Sequence, residues 1–194
     1  FDKFVHDDRA NLPSNFQPTL IALVEGNTEA ILLPRFVSVA GIRAQTGTPL
    51  FIPCGGANQL LRKYLHLRDQ VKLPILCVVD HDADEQSDTI RDLARDHDRL
   101  HIWNLGEIED TFPALSLLEM LNAYLHSKGV SDLLQSNDLT YSERRTEQLD
   151  RLWRSRGLGD FDKVGFAQFQ AGRIKHISEV PEEAKRLLSL LKTM

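Results

Sequence analysis

Five acidic side chains stand where the apolar pattern says strands end, and their types define the chemistry on offer. Leu20-Ile21-Ala22-Leu23-Val24 is a continuous apolar run closed by Glu25-Gly26, with Glu29 four residues beyond Glu25. Ile75-Leu76-Cys77-Val78-Val79 is a second such run, closed by Asp80-His81-Asp82. A third, near Leu100–Leu105, leads into Gly106-Glu107-Ile108-Glu109-Asp110. In an open parallel α/β sheet the ligand crevice lies at the carboxyl ends of the strands. Glu25, Glu29, Asp80, Asp82 and Glu109 are therefore expected to gather there, with Glu107 facing either the crevice or solvent. Gathered carboxylates repel one another and raise each other's pKa values unless a cation compensates them. Oxygen ligands select a hard divalent ion, Mg²⁺ or Mn²⁺. In extended chain the spacing of two points Asp80 and Asp82 the same way and His81 away from them. A single acid after a strand is ordinarily a turn former or helix cap. Three acidic sites on one sheet edge call for more than that. Asp84 and Glu85 read as the solvated start of a helix.

The elements that must position these residues follow from changes of apolar period. After the first strand, Ile31, Leu32, Phe36, Val37 and Ala40 keep helical spacing, with Asn27 or Thr28 as N-cap and Gly41 as stop. Leu50-Phe51-Ile52 is a strand followed by Gly55-Gly56 and a helix over Ala57–Arg68. Ile75–Val79 is the next strand, then comes a polar helix near Gln86–Asp96 and a fourth strand near Leu100–Leu105. This βαβαβαβ series specifies an α/β fold, a parallel sheet flanked by helices on both faces. Beyond residue 110 the strand signal stops. Helices are expected over Pro113–Ser127, Ser142–Arg156, Asp162–His176 and Pro181–Lys192, with a polar loop through Gln135–Thr140. The chain thus divides into a lead-in (1–18), an α/β core (19–110), a helical insertion (111–160) and C-terminal helices (161–194) that pack on the core and complete the site.

Val24-Glu25-Gly26-Asn27-Thr28-Glu29, Val79-Asp80-His81-Asp82 and Gly106-Glu107-Ile108-Glu109-Asp110, in that order, resemble the three signatures of a Toprim domain, the fold of topoisomerases, primases and several nucleases. The second Glu four after the first, followed by Leu33-Pro34, is more similar to the OLD (overcoming lysogenization defect) family nucleases. The resemblance runs from about Thr19 to the C-terminus. It implies a metal-dependent DNA endonuclease with two Mg²⁺ or Mn²⁺ ions shared among Glu25, Glu29, Asp80, Asp82 and Glu109, with Glu25 and Asp80 central to catalysis. It also implies an ABC-type ATPase domain preceding this region in the parent chain, and oligomerisation through that absent part. The chain has no Gly-x-x-x-x-Gly-Lys-Ser/Thr and no Gly-Lys dipeptide, so it supplies no Walker-type ATPase itself. It opens on Phe1-Asp2-Lys3, as expected of a piece of a longer protein. The family's C-terminal lysine resembles Lys163 in Phe161-Asp162-Lys163-Val164-Gly165, with Lys175 the runner-up, and would stabilise charge on the phosphate in flight. The same fold hosts two alternatives: primase or topoisomerase nucleotidyl transfer, and a non-catalytic regulatory or assembly module. Strand passage needs a catalytic tyrosine, and Tyr64, Tyr124 and Tyr141 have no supporting context.

Charge and composition bound the rest. The net charge of −5 speaks against a nucleic-acid partner at first sight. Its distribution answers that: residues 1–138 carry 12 basic and 20 acidic side chains, and 139–194 carry 11 and 8. Arg144, Arg151 and Arg154 fall near one face of the Ser142–Arg156 helix and could clasp phosphates bidentately. Gly55-Gly56 could offer backbone amides to a phosphate at a helix start. Cys54 and Cys77 lie in apolar runs, too few for a disulfide framework or a thiolate zinc site, and a cytoplasmic location is expected. No apolar stretch approaches the roughly 20 residues that span a bilayer, so no membrane partner is expected.

Overall fold

The computed structural model describes residues 18–42, 48–139 and 144–194. Four parallel strands, β1 (Pro18–Val24), β2 (Thr48–Pro53), β3 (Ile75–Val79) and β4 (Arg99–Ile102), form one sheet in the order β2-β1-β3-β4. The central strands are the apolar runs, fully buried over Leu20–Val24 and Ile75–Val79, while β2 and β4 at the edges are only partly covered. Continuous apolar runs are what two-sided burial requires. Alternation then divides each strand between two cores. Ala22, Val24, Leu76 and Val78 join the larger core, and Ile21, Leu23, Ile75, Cys77 and Val79 the smaller one.

The smaller core is closed by α2 (Ala57–Arg68) and α3 (Asp84–Leu93), through Leu60, Tyr64 and Ile90. At the amino ends of the strands Asp98 accepts hydrogen bonds from the Ile75 amide (2.9 Å), the Tyr64 hydroxyl (3.0 Å) and Arg95 (2.8 Å), so this buried charge is fully partnered. The larger core is closed by α1 (Asn27–Val39), α4 (Ala114–Ser127), α5 (Arg145–Ser155), α6 (Lys163–Arg173) and α7 (Glu182–Leu191). Side chains of all five helices belong to one apolar cluster with β1 and β3. Among the described residues, no helix is long and apolar enough to cross a membrane.

Several boundaries differ from the sequence reading. The first helix starts at Asn27 with Gly26 as N-cap rather than Asn27 or Thr28. The Glu29 side chain reaches back to the Gly26 amide, the N3-to-N-cap half of a capping box. The polar helix begins at Asp84, with Asp84 and Glu85 in its first turn. The fourth strand stops at Ile102, because Trp103, Asn104 and Leu105 already belong to the loop. The helix expected from Ser142 is described only from Arg145, and Thr140–Glu143 lie outside the described residues, as does Tyr141.

Candidate metal and phosphate site

From β1 the chain moves outward to β2, and from β3 outward to β4, so the connections diverge between the two central strands. Such a switch point opens a crevice at the carboxyl ends of the strands. Glu25 follows β1 there and Asp80 follows β3. The two are joined: the Asp80 amide donates to Glu25 Oε1 at 2.7 Å. The Gly55 and Gly56 amides both donate to the Glu25 carbonyl, at 2.8 and 3.0 Å. Positive φ values of +81° and +106° at these two residues make this turn at the start of α2 one that favours glycine.

A cleft of about 330 Å³ lies over this junction, lined by Glu25, Glu29, Asp80, Glu107, Glu109 and Lys163, with Gly55, Gly56 and Val164 at its walls. A smaller one of about 160 Å³ shares Asp80 and Glu107 with it and adds His81, Asp82, Leu105 and Arg144. Asp80 thus lines both clefts, whereas Asp82 lines only the smaller one. Extended geometry ends at Val79, and residues 81–82 form a turn closed by the Ala83 amide on the Asp80 carbonyl. This turn directs Asp82 into the smaller cleft and brings His81 there as well.

Lys163 Nζ donates to Glu107 Oε2 at 2.7 Å, which answers on which side Glu107 lies. The lysine is presented by the first turn of α6, capped by Asp162, whose Oδ1 accepts from the Gly165 amide at 2.8 Å. A Cβ at Gly165 would collide with the Asp162 carboxylate, so this turn needs glycine. Lys175 lies elsewhere: it is exposed, donates to the Gly172 carbonyl, and lines a separate cavity between α4 and α7. Arg144 donates to Asp82 Oδ2 at 2.8 Å. Arg151 and Arg154 line neither cleft, and Arg154 pairs with Asp160. Cys54 and Cys77 are free thiols whose pKa values burial pushes up, that of Cys54 to about 11, as expected of core cysteines.

One organising residue was not singled out from the sequence. Asp110 accepts from the Glu107 amide at 2.9 Å and from the Arg145 amide at 2.9 Å, tying the acidic loop to the start of α5. The signal was available, since Glu107 and Asp110 stand at the spacing of a capping box. Gly106, with φ +120°, turns the chain into this loop, and a Cβ there would crowd Asp110.

The electrostatics are those of negative charge in excess. Burial, then the charges of Glu29, Glu25, Glu107 and Glu109, push Asp80 up to about 8. Burial above all, together with Glu29 and Glu107, lifts Glu109 to about 7 against the opposing pull of Lys163. Burial also raises Glu25 and Glu29. Asp82 alone of the five moves down, because Arg144 hydrogen-bonds it. Lys163 is raised: burial works against its charge, but Glu107, Glu109 and Asp80 outweigh it.

Do these residues fit a divalent cation? The donor set does, being all hard oxygen, and Asp80 Oδ1 is buried without a hydrogen-bond partner. The spacing is not that of a closed cage: among the described residues no group of three or more His, Cys, Asp or Glu side chains is arranged to hold an ion. Backbone amides hold Glu25 and Glu29 instead, Lys163 holds Glu107 and Arg144 holds Asp82.

A stability prediction follows. In unfolded chain both Asp80 and Glu109 return to about 4. Between about 4 and their raised values the folded state keeps protons that the unfolded state has released, so stability falls as pH rises. Melting in chelator should give a lower Tm at pH 8 than at pH 5.5, with Asp80→Asn flattening the fall. A wild-type Tm that climbs across this range, or an unchanged slope in the variant, would contradict the assignment.

Residues 19–82, which carry the first two acidic motifs, match the family model described as overcoming lysogenization defect protein-like, TOPRIM domain. Over residues 19–82 the chain is similar to this OLD-like Toprim domain. Its fold is that of the C-terminal region of the Burkholderia pseudomallei OLD protein, with TM-score 0.66 at 17% identity over 92% of this chain and 98% of that one. The C-terminal region of the Xanthomonas campestris pv. campestris OLD protein is equally similar, with TM-score 0.63 at 18% identity over 91% and 93% of the two chains. No match was found among curated proteins. The likeness to solved structures, over 91–92% of this chain, extends the shared fold well past residue 82.

Proposed function

We propose that this OLD-like Toprim region is a metal-dependent endonuclease that hydrolyses DNA phosphodiesters, and that it works as the catalytic C-terminal part of a larger, ATPase-linked protein. The observation that carries the reading is the convergence of Glu25, Glu29, Asp80, Glu107, Glu109 and Lys163 on one cleft at the sheet's switch point. Glu25, Glu29, Asp80, Asp82 and Glu109, with Glu107 beside them, would hold two Mg²⁺ or Mn²⁺ ions. When bound, such a pair supplies an activated water and stabilises the leaving oxygen. The chain's own contributions are distinct. Glu25 fixes the Asp80 backbone and Lys163 places positive charge over the cleft, whereas the Gly55 and Gly56 amides, expected to be open to a phosphate, are taken up by the Glu25 carbonyl. Arg144, Arg151 and Arg154 would position the DNA backbone from α5 and its start. Tyr64 is no candidate for tyrosine-mediated strand passage, being buried, bonded to Asp98, and pushed up to about 12 by that burial.

Supercoiled plasmid should be nicked or cut in Mg²⁺ or Mn²⁺ and left intact in EDTA, because uncompensated carboxylates repel a phosphodiester. Ca²⁺, with looser coordination, should support less cleavage. Undiminished cutting in EDTA removes the metal-dependent reading. Intact plasmid in every cation removes the nuclease.

A further inference from the structure

Arg144 holds Asp82 at 2.8 Å in the smaller cleft, which Lys163 does not line. We propose that Arg144 is a resident counter-ion of Asp82 that must release this carboxylate before Asp82 can ligate a cation, and whose freed guanidinium then takes a phosphate of the nucleic-acid backbone. The inference rests on the metal-dependent reading above and adds to it an exchange step built from this chain's own residues.

Three observations carry it. First, Arg144 and Asp82 line the small cleft together with Asp80 and Glu107, which also line the main one, so the guanidinium sits against the carboxylates that a cation would draw in. Second, the backbone beside Arg144 is anchored by bonds separate from the one its side chain makes to Asp82. The Arg145 amide donates to Asp110 Oδ1, Asp110 Oδ2 holds the Glu107 amide, and the Arg144 carbonyl accepts from the Gln148 amide at 3.2 Å. The guanidinium can therefore swing without moving the loop that carries Glu107 and Glu109. Third, the pair is exposed, its side chains retaining 51% and 60% of their accessible surface. Exposed ion pairs are weak and exchangeable. A divalent ion drawn by several carboxylates outbids one guanidinium, and an arginine so released offers two parallel donors suited to a phosphate.

The test is calorimetric titration of the chain with Mn²⁺ alone, on wild type, Arg144→Gln, Asp82→Asn, the double variant, and Arg154→Gln as a charge-matched control from α5. Arg144→Gln should bind Mn²⁺ about two- to fivefold tighter than wild type, the worth of an exposed ion pair. The gain should vanish in the Asp82→Asn background and be absent in Arg154→Gln. Binding of labelled duplex DNA, read by anisotropy, should weaken in Arg144→Gln when Ca²⁺ is present and change little in EDTA, where Asp82 keeps the guanidinium. Unchanged Mn²⁺ affinity in Arg144→Gln, a gain that survives loss of Asp82, or equal weakening of DNA binding with and without Ca²⁺ overturns the exchange and leaves the nuclease reading standing. A wild-type chain that takes up no Mn²⁺ overturns both.

Discussion

Asp80→Asn and Glu25→Gln are expected to abolish cleavage, on the order of 10³-fold or more, while the protein stays folded. The size follows from the loss of charge stabilisation at the reacting phosphate, which is worth several kcal/mol at a metal-assisted site. The fold should survive for a reason visible in the geometry. Asp80 carries a buried oxygen with no partner and a pKa pushed up to about 8, so its charge costs the folded state. Neutralising it removes that cost and should raise the Tm in chelator at pH 8 by roughly 3–10 °C, the shift expected of about 1–3 kcal/mol in a chain of this size. Glu25 needs the isosteric change, because Oε1 receives the Asp80 amide and truncation would strand that donor at a cost of about 1–3 kcal/mol. Nicking of supercoiled plasmid in Mn²⁺ and thermal melting check both halves. Wild-type cleavage by folded Asp80→Asn would remove the site assignment altogether.

How far the site could be read in advance depended on how local each placement is. Glu25 and Asp80 were legible because each directly follows an apolar run, and strand order alone then brings them to the switch point. Helix α2 was legible to the residue, since Gly55-Gly56 and the apolar spacing of Leu60 and Tyr64 are signals within one segment. Asp82 reaches only the smaller cleft, because the chain turns after Val79 and period-two reasoning does not hold past the end of the strand. Arg144 against Asp82 was out of reach: 62 residues separate them, and nothing in the intervening pattern fixes how the helices after residue 110 return to the sheet. Lys163 was brought to the site only through the family resemblance, and its pairing with Glu107, 56 residues away, was not foreseen.

Substitution of Lys163 by alanine is expected to depress cleavage by about 10²-fold or more at saturating protein, with DNA affinity little changed, as when a group that meets charge developing in the transition state is removed. The structure gives reasons to separate this role from simple attraction of DNA. Lys163 is half-buried, donates to Glu107, and feels Glu109 and Asp80, so in the resting protein its charge is spent on carboxylates. Once cations compensate those acids, the ammonium is left facing the cleft where the phosphate would lie. Its placement is rigid, because Asp162 caps the turn from one side and Gly165 leaves room for that cap. Lys163→Arg keeps the charge but moves it along a longer, planar group, and should recover only part of the rate. Arg151→Ala, on α5 and outside both clefts, should behave in the opposite way: weaker binding, a shallower salt dependence, and cleavage recovered at saturation. If Lys163→Ala weakens binding alone while saturated cleavage is unchanged, the lysine is a positioning residue. Lys175 cannot then inherit the catalytic role, since it lines a different cavity, and the carboxylates with their cations would carry the chemistry by themselves.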